Sequence, residues 1–109
     1  MDIQEFRKTH PLPERVCQVA MDAARLARDI LGPGIRVIWY GSWIRGNARP
    51  RYDIDLAVWS KKPIDPLKAA VLSAEIEEDF PSLFSISFAN IQETGVSFRN
   101  EVFRTGVDI

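Results

Sequence analysis

Residues 40–58 read Tyr-Gly-Ser-Trp-Ile-Arg-Gly-Asn-Ala-Arg-Pro-Arg-Tyr-Asp-Ile-Asp-Leu-Ala-Val. Gly41-Ser42 interrupts a β-branched and aromatic run from Ile35 to Tyr40, and Asp53-Ile54-Asp55 lies in a second run from Tyr52 to Trp59. Both runs have the composition of strands. Residues two apart on a strand share a face, so Asp53 and Asp55 project together while Ile54, Leu56 and Val58 point into the core. At a rise of about 3.3 Å per residue the two carboxylates lie about 7 Å apart. Carboxylates so placed can hold a hard cation such as Mg²⁺ and leave positions open for phosphate oxygens and water. A pair of such ions can hold both the attacking and the leaving oxygen of an in-line phosphoryl displacement.

Gly41 at a strand end lets backbone approach a ligand closely, and Ser42 adds a hydroxyl and an N–H at the same point. A short helical turn over Trp43 to Gly46 would aim N–H groups at the terminal phosphates of a nucleotide. Arg45 can add a charge-assisted contact there. Arg49 and Arg51 lie on a polar loop around Pro50 and read as surface residues. Trp43 and Ile44 either pack on the preceding helix or offer a docking or stacking surface. Neither Gly-Ser nor Asp-x-Asp is informative alone; the ten residues between Ser42 and Asp53 make the combination specific.

Outward from this window the elements alternate. The first ten residues form either a short helix or a mobile lead-in, and His10 has no catalytic company there. Val16, Ala20, Ala23, Ala27 and Ile30 recur at three and four, one stripe of an amphipathic helix ended by Gly32-Pro33-Gly34. Pro66 to about Phe80 reads as a helix whose acidic end, Glu75 to Asp79, opposes the helix dipole. Leu83 to Ile91 reads as a third strand, Val96 to Arg104 as a helix stopped by Gly106, and 107–109 as a short final strand. The fold class is α/β (α+β): a small mixed sheet of three to four strands flanked by helices, with function at the strand ends.

At 109 residues the chain fits one domain, residues 1–109, with little surface for a separate acceptor module. A net charge of −1 gives no field for general nucleic-acid binding, and no pattern of basic and aromatic residues for stacking bases stands out. The single cysteine, Cys17, excludes an internal disulfide, reads as a core residue, and fits a reducing compartment. No signal peptide or membrane-spanning run is present, so the sequence reads as cytoplasmic.

Gly41-Ser42, the spacer and Asp53-Ile54-Asp55 together resemble the signature of the nucleotidyltransferase superfamily related to DNA polymerase β. The short length, Arg45-Gly46 after Gly-Ser, and the ending Phe98-Arg99, Val102-Phe103-Arg104 and Gly106 resemble its minimal nucleotidyltransferase branch. The resemblance implies the nucleotidyltransferase fold, with Gly41, Ser42 and Arg45 binding nucleotide and Asp53 and Asp55 serving as catalytic metal ligands. It implies two Mg²⁺ ions and transfer of a nucleoside monophosphate, AMP foremost, from ATP or another nucleoside triphosphate to a hydroxyl acceptor. It further implies a separate helical HEPN-type partner protein, as in toxin–antitoxin pairs.

The chain departs from the pattern at the third acid. Counting back from Phe98-Arg99 puts Ser87 in the place of the superfamily's third carboxylate and Asn90 in that of a second, non-catalytic acid. Serine has no useful basicity near neutral pH, and general-base assistance is worth about 10²–10⁴ in rate. The alternative to a transferase is therefore a weak or inactive nucleotide-binding subunit that acts by complex formation.

Overall fold

The computed structural model describes residues 1–47, 53–80 and 84–109. Its helices are α1 (Ile3–Thr9), α2 (Glu14–Leu31), α3 (Ser42–Arg45), α4 (Pro66–Asp79) and α5 (Val96–Thr105). Its strands are β1 (Arg36–Tyr40), β2 (Ile54–Trp59), β3 (Ile86–Asn90) and β4 (Val107–Asp108). The four strands form one mixed sheet in the order β3-β2-β1-β4. β1 runs antiparallel to both β2 and β4, while β2 and β3 are parallel and joined through α4. A parallel pair needs such a crossover, because a tight turn cannot return the chain to the same end of the sheet.

Alternation along the central strands sorts the sheet into two faces. Val37 and Trp39 on β1 and Ile54, Leu56 and Val58 on β2 are buried in one cluster with the small residues of α2. Ala20, Ala23 and Ala27 are fully buried, and their methyl-sized side chains let the long helix lie close on the sheet. Ile38 and Ala57 point the other way and meet Val102 of α5 in a second, smaller cluster. Gly106, just beyond α5, is required by close approach. A Cβ there would sit 2.6 Å from the Val102 carbonyl oxygen and 3.3 Å from that of Trp39.

The first ten residues adopt the helical alternative. Asp2 caps α1 by accepting the Glu5 N–H at 2.9 Å, and Ile3 and Phe6 are buried. The lead-in is tied to the C-terminus by a bridge between Asp2 and Asp108 and by the Asp108 N–H, which donates to the Met1 carbonyl at 2.9 Å. His10 stacks on Phe6. Cys17 is buried and free, and burial pushes its thiol pKa up, as befits a core residue. The loop that carries Arg49 and Arg51, the strand start at Tyr52 and the strand start at Leu83 lie outside the described residues. No helix among the described residues is long and apolar enough to cross a membrane.

Candidate active site

Asp55 is the second residue of β2, and its neighbours across the sheet are Tyr40 on β1 and Ser87 on β3. All three side chains lie on the sheet face that α5 covers only in part. Asp53 precedes the first residue of β2 by one position rather than lying within the strand. Its negative charge still acts on Asp55, which places the two carboxylates near one another. Asp53 is exposed and Asp55 half-buried. The Ser87 hydroxyl donates to Asp55 Oδ1 at 3.0 Å, which fixes one carboxylate oxygen and turns the other toward Gly41.

Gly41 is demanded twice over. Its backbone has φ +89° and ψ −155°, a conformation that side-chain-bearing residues do not adopt without strain. A Cβ at this position would also collide with Asp55 Oδ2 and lie 3.2 Å from its Cγ. The glycine that ends β1 therefore makes room for the carboxylate on β2. Ser42 then opens α3, where the Arg45 N–H returns to the Gly41 carbonyl at 3.0 Å. Gly46 ends the turn in the left-handed region. Ile44 is buried, and Trp43 meets Phe84 edge-on and borders Leu12 and Pro13, so both pack inward.

Burial raises the Asp55 pKa above the usual carboxylate range. The Ser87 hydrogen bond lowers it, the negative charge of Asp53 raises it, and the positive charge of Arg45 lowers it. Arg45 is exposed, yet close enough for its charge to act on Asp55. Gly41, Ser42, Arg45, Asp53, Asp55 and Ser87 thus converge at one end of the sheet. Two carboxylates without thiol or imidazole are the donor set that Mg²⁺ prefers, and the space kept by Gly41 fits a ligand-binding carboxylate. No cluster of three or more acidic, histidine or cysteine ligands forms among the described residues. Asn90, further along β3, accepts the Gln92 N–H at 3.2 Å in a turn and stands opposite Val58.

Tyr40 is the site neighbour that sequence reading passed over. It stands beside Asp55, and Phe98 of α5 meets its ring edge-on with centroids 5.6 Å apart. Only the antiparallel register of β1 and β2 reveals this, although an aromatic immediately before Gly-Ser was a visible cue. A groove of about 500 Å³ along α2, lined by Arg15, Asp22, Arg25 and Phe80, lies on the opposite side of the sheet. It is therefore separate from the carboxylates.

A mixed sheet with a Gly-Ser turn on one strand and an Asp-x-Asp pair at the start of its antiparallel neighbour defines the nucleotidyltransferase fold. The chain belongs to the polymerase β nucleotidyltransferase family, whose sequence profile matches residues 33–109. No curated protein sequence matches it. Among solved structures it is similar to a chain of a toxin–antitoxin crystal structure with AMP-PNP, at 18% identity and TM-score 0.65, covering 82% of this chain and 70% of that one. It is also similar to a chain of a toxin–antitoxin MntA–HpeT variant in which two aspartates two positions apart are changed to glutamate. That match has 16% identity and TM-score 0.63, with 82% and 70% coverage. A structure described as a minimal nucleotidyltransferase matches at 24% identity and TM-score 0.57, over 100% of this chain and 97% of that one. At these identities the structural likenesses speak to the fold.

Proposed function

We propose that the protein binds a nucleoside triphosphate, ATP foremost, together with Mg²⁺ and transfers its nucleoside monophosphate to a hydroxyl group on a partner protein. The observation that carries this reading is the placing of Asp55 against Gly41, with the charges of Asp53 and Arg45 within reach. Asp53 and Asp55 would hold the metal, which when bound neutralises phosphate charge and aligns the oxygens of the displacement. The resemblance in sequence implies two such ions.

The chain's own groups have distinct tasks in this reading. Gly41 lets the triphosphate approach the backbone, Ser42 offers a hydroxyl and an N–H, and Arg45 balances phosphate charge. Ser87 holds the Asp55 carboxylate in one orientation through its hydrogen bond. The acceptor oxygen attacks the α-phosphorus, pyrophosphate leaves, and the acceptor proton passes to solvent. Two of the similar structures are toxin–antitoxin assemblies, one of them with an adenine nucleotide analogue, which supports an antitoxin role and an adenine donor. The sequence resemblance points to a helical HEPN-type partner. A buried, free Cys17 fits a reducing, cytoplasmic setting.

A second reading, a nucleotide-binding subunit that acts by complex formation, is favoured by one observation. The group beside Asp55 on β3 is the Ser87 hydroxyl, not a third carboxylate. Incubation with α-labelled ATP, Mg²⁺ and the candidate partner separates the two. Label on the partner, lost in the Asp53→Ala/Asp55→Ala variant, supports transfer; label that persists in that variant refutes the site. Binding of AMP-PNP without any labelling supports the second reading.

A further inference from the structure

The solvent-facing side of α4 carries an apolar stripe along its first two and a half turns. Leu67 is 73% exposed and Val71 42% exposed, and Ala70 and Ala74 are exposed beside them. Spacings of three and four put these four residues in one stripe. The buried residues Leu72 and Ile76 lie on the opposite side, against the core. Charge is sorted along the same helix. Lys68 lies in its first turn with Lys61 and Lys62 shortly before it and Asp65 as its N-cap, while Glu75, Glu77, Glu78 and Asp79 crowd its end, with no base in the last turn. The acidic end opposes the helix dipole, which favours bases there, whereas Asp65 at the start accepts the Leu67 N–H and complements it. Among the described residues none of these three lysines and four C-terminal acids has an ion-pair partner within the chain.

We infer that α4 is the contact surface for a second copy of this chain, docked antiparallel about a two-fold axis beside Val71. The pattern is self-complementary in that arrangement alone. Lys68 and Glu75 are seven residues apart and so occupy the same flank of the stripe. In an antiparallel pair each flank meets itself, which sets Lys68 of one copy beside Glu75 of the other, twice over. The basic beginning of each helix then lies along the acidic end of its neighbour, and the opposed dipoles are offset. Leu67 packs over the region of Ala74 in the second copy, and Ala70 lets the helix axes approach closely. The contact is isologous, so it closes at a dimer. A single helix face buries less than the ~800 Å² per partner of a standard interface, so the association is weak and reversible. The inference stands apart from the catalytic reading, because α4 packs with α2 on the far side of the sheet from Asp55.

Sedimentation equilibrium of the purified chain from about 10 µM to about 1 mM tests it. A monomer–dimer equilibrium that weakens with added salt is expected. Val71→Glu should weaken it at least ~10-fold, while circular dichroism stays unchanged because Val71 faces solvent. Lys68→Glu and Glu75→Lys should each reduce self-association, and an equimolar mixture of the two variants should restore it as a heterodimer. A monomer at every concentration, a dimer indifferent to Val71→Glu, or a mixture without restored association would each overturn the inference. A Val71-dependent complex with a different protein, formed by a chain that stays monomeric alone, would overturn it as well.

Discussion

Replacing Gly41 with alanine strikes at the joint between the backbone and the site. Two costs add, and they can be measured separately. The first is conformational: φ +89° with ψ −155° is a region left almost entirely to glycine, and holding alanine there costs about 1–3 kcal/mol. The second is steric, because the new methyl meets Oδ2 of Asp55 and stands 3.3 Å from its Cβ. To escape, the carboxylate must rotate and give up the Ser87 hydrogen bond, worth about 0.5–1.5 kcal/mol. The sum is about 1.5–4.5 kcal/mol of unfolding free energy, read from urea titration. A double-mutant cycle divides it. In an Asp55→Ala background the carboxylate is gone and the backbone strain remains, so Gly41→Ala should cost about 1 kcal/mol less than in the parent. Calorimetric titration with AMP-PNP and Mg²⁺ gives the functional half: Gly41→Ala should lose at least ~10-fold in affinity, because the carboxylate no longer points where it did. Parental stability together with parental nucleotide affinity in Gly41→Ala would refute the reasoning. Equal costs in both backgrounds would refute the steric part alone.

Further expectations concern charge and packing. Burial raises the Asp55 pKa above its unfolded value, so the folded state binds the proton more tightly there and ionisation at neutral pH costs stability. Asp55→Asn keeps an acceptor for Ser87 and should raise the unfolding midpoint by an amount worth roughly 0.2–1 kcal/mol, screened by solvent, while abolishing any metal-dependent labelling. A lower midpoint would contradict the assigned direction. Asp108 has the opposite sign: the Arg36 guanidinium, at 2.6 Å and 3.1 Å from its two oxygens, holds its pKa below the ordinary value. Its contribution is present above the unfolded pKa and is lost as pH falls through the folded one. Asp108→Asn should therefore cost roughly 0.2–1 kcal/mol at pH 7 and nothing at a pH below both values, as read from denaturant midpoints. Phe6→Ala should lower stability by about 3 kcal/mol in urea titration, and a loss near zero would mean that α1 does not belong to the core. Ser87→Asp places a third carboxylate beside Asp55 and should raise transfer to the partner protein; an unchanged rate would remove Ser87 from the account of weak catalysis.

Whatever depends on neighbours along the chain was legible in the residues alone. The period of α2, the breaks at Gly32-Pro33-Gly34 and Gly106, and the two strand runs around Gly41-Ser42 and Asp53-x-Asp55 are local patterns, and the structure follows them. Strand parity predicted a shared face for the two aspartates; the strand begins only at Ile54, and the charge of Asp53 nevertheless acts on Asp55. Tertiary structure decided what depends on pairing across the sheet. The register of three strands brings Tyr40 and Ser87 beside Asp55 and turns its second oxygen toward Gly41. A one-residue slip would send each of those side chains to the opposite face, and such a slip is resisted by the buried set Val37, Trp39, Ile54, Leu56 and Val58 rather than by the site residues themselves. The helix over the first residues was likewise undecided in sequence: seven residues make a marginal helix alone, and α1 persists because Ile3 and Phe6 find a core built mostly by later parts of the chain.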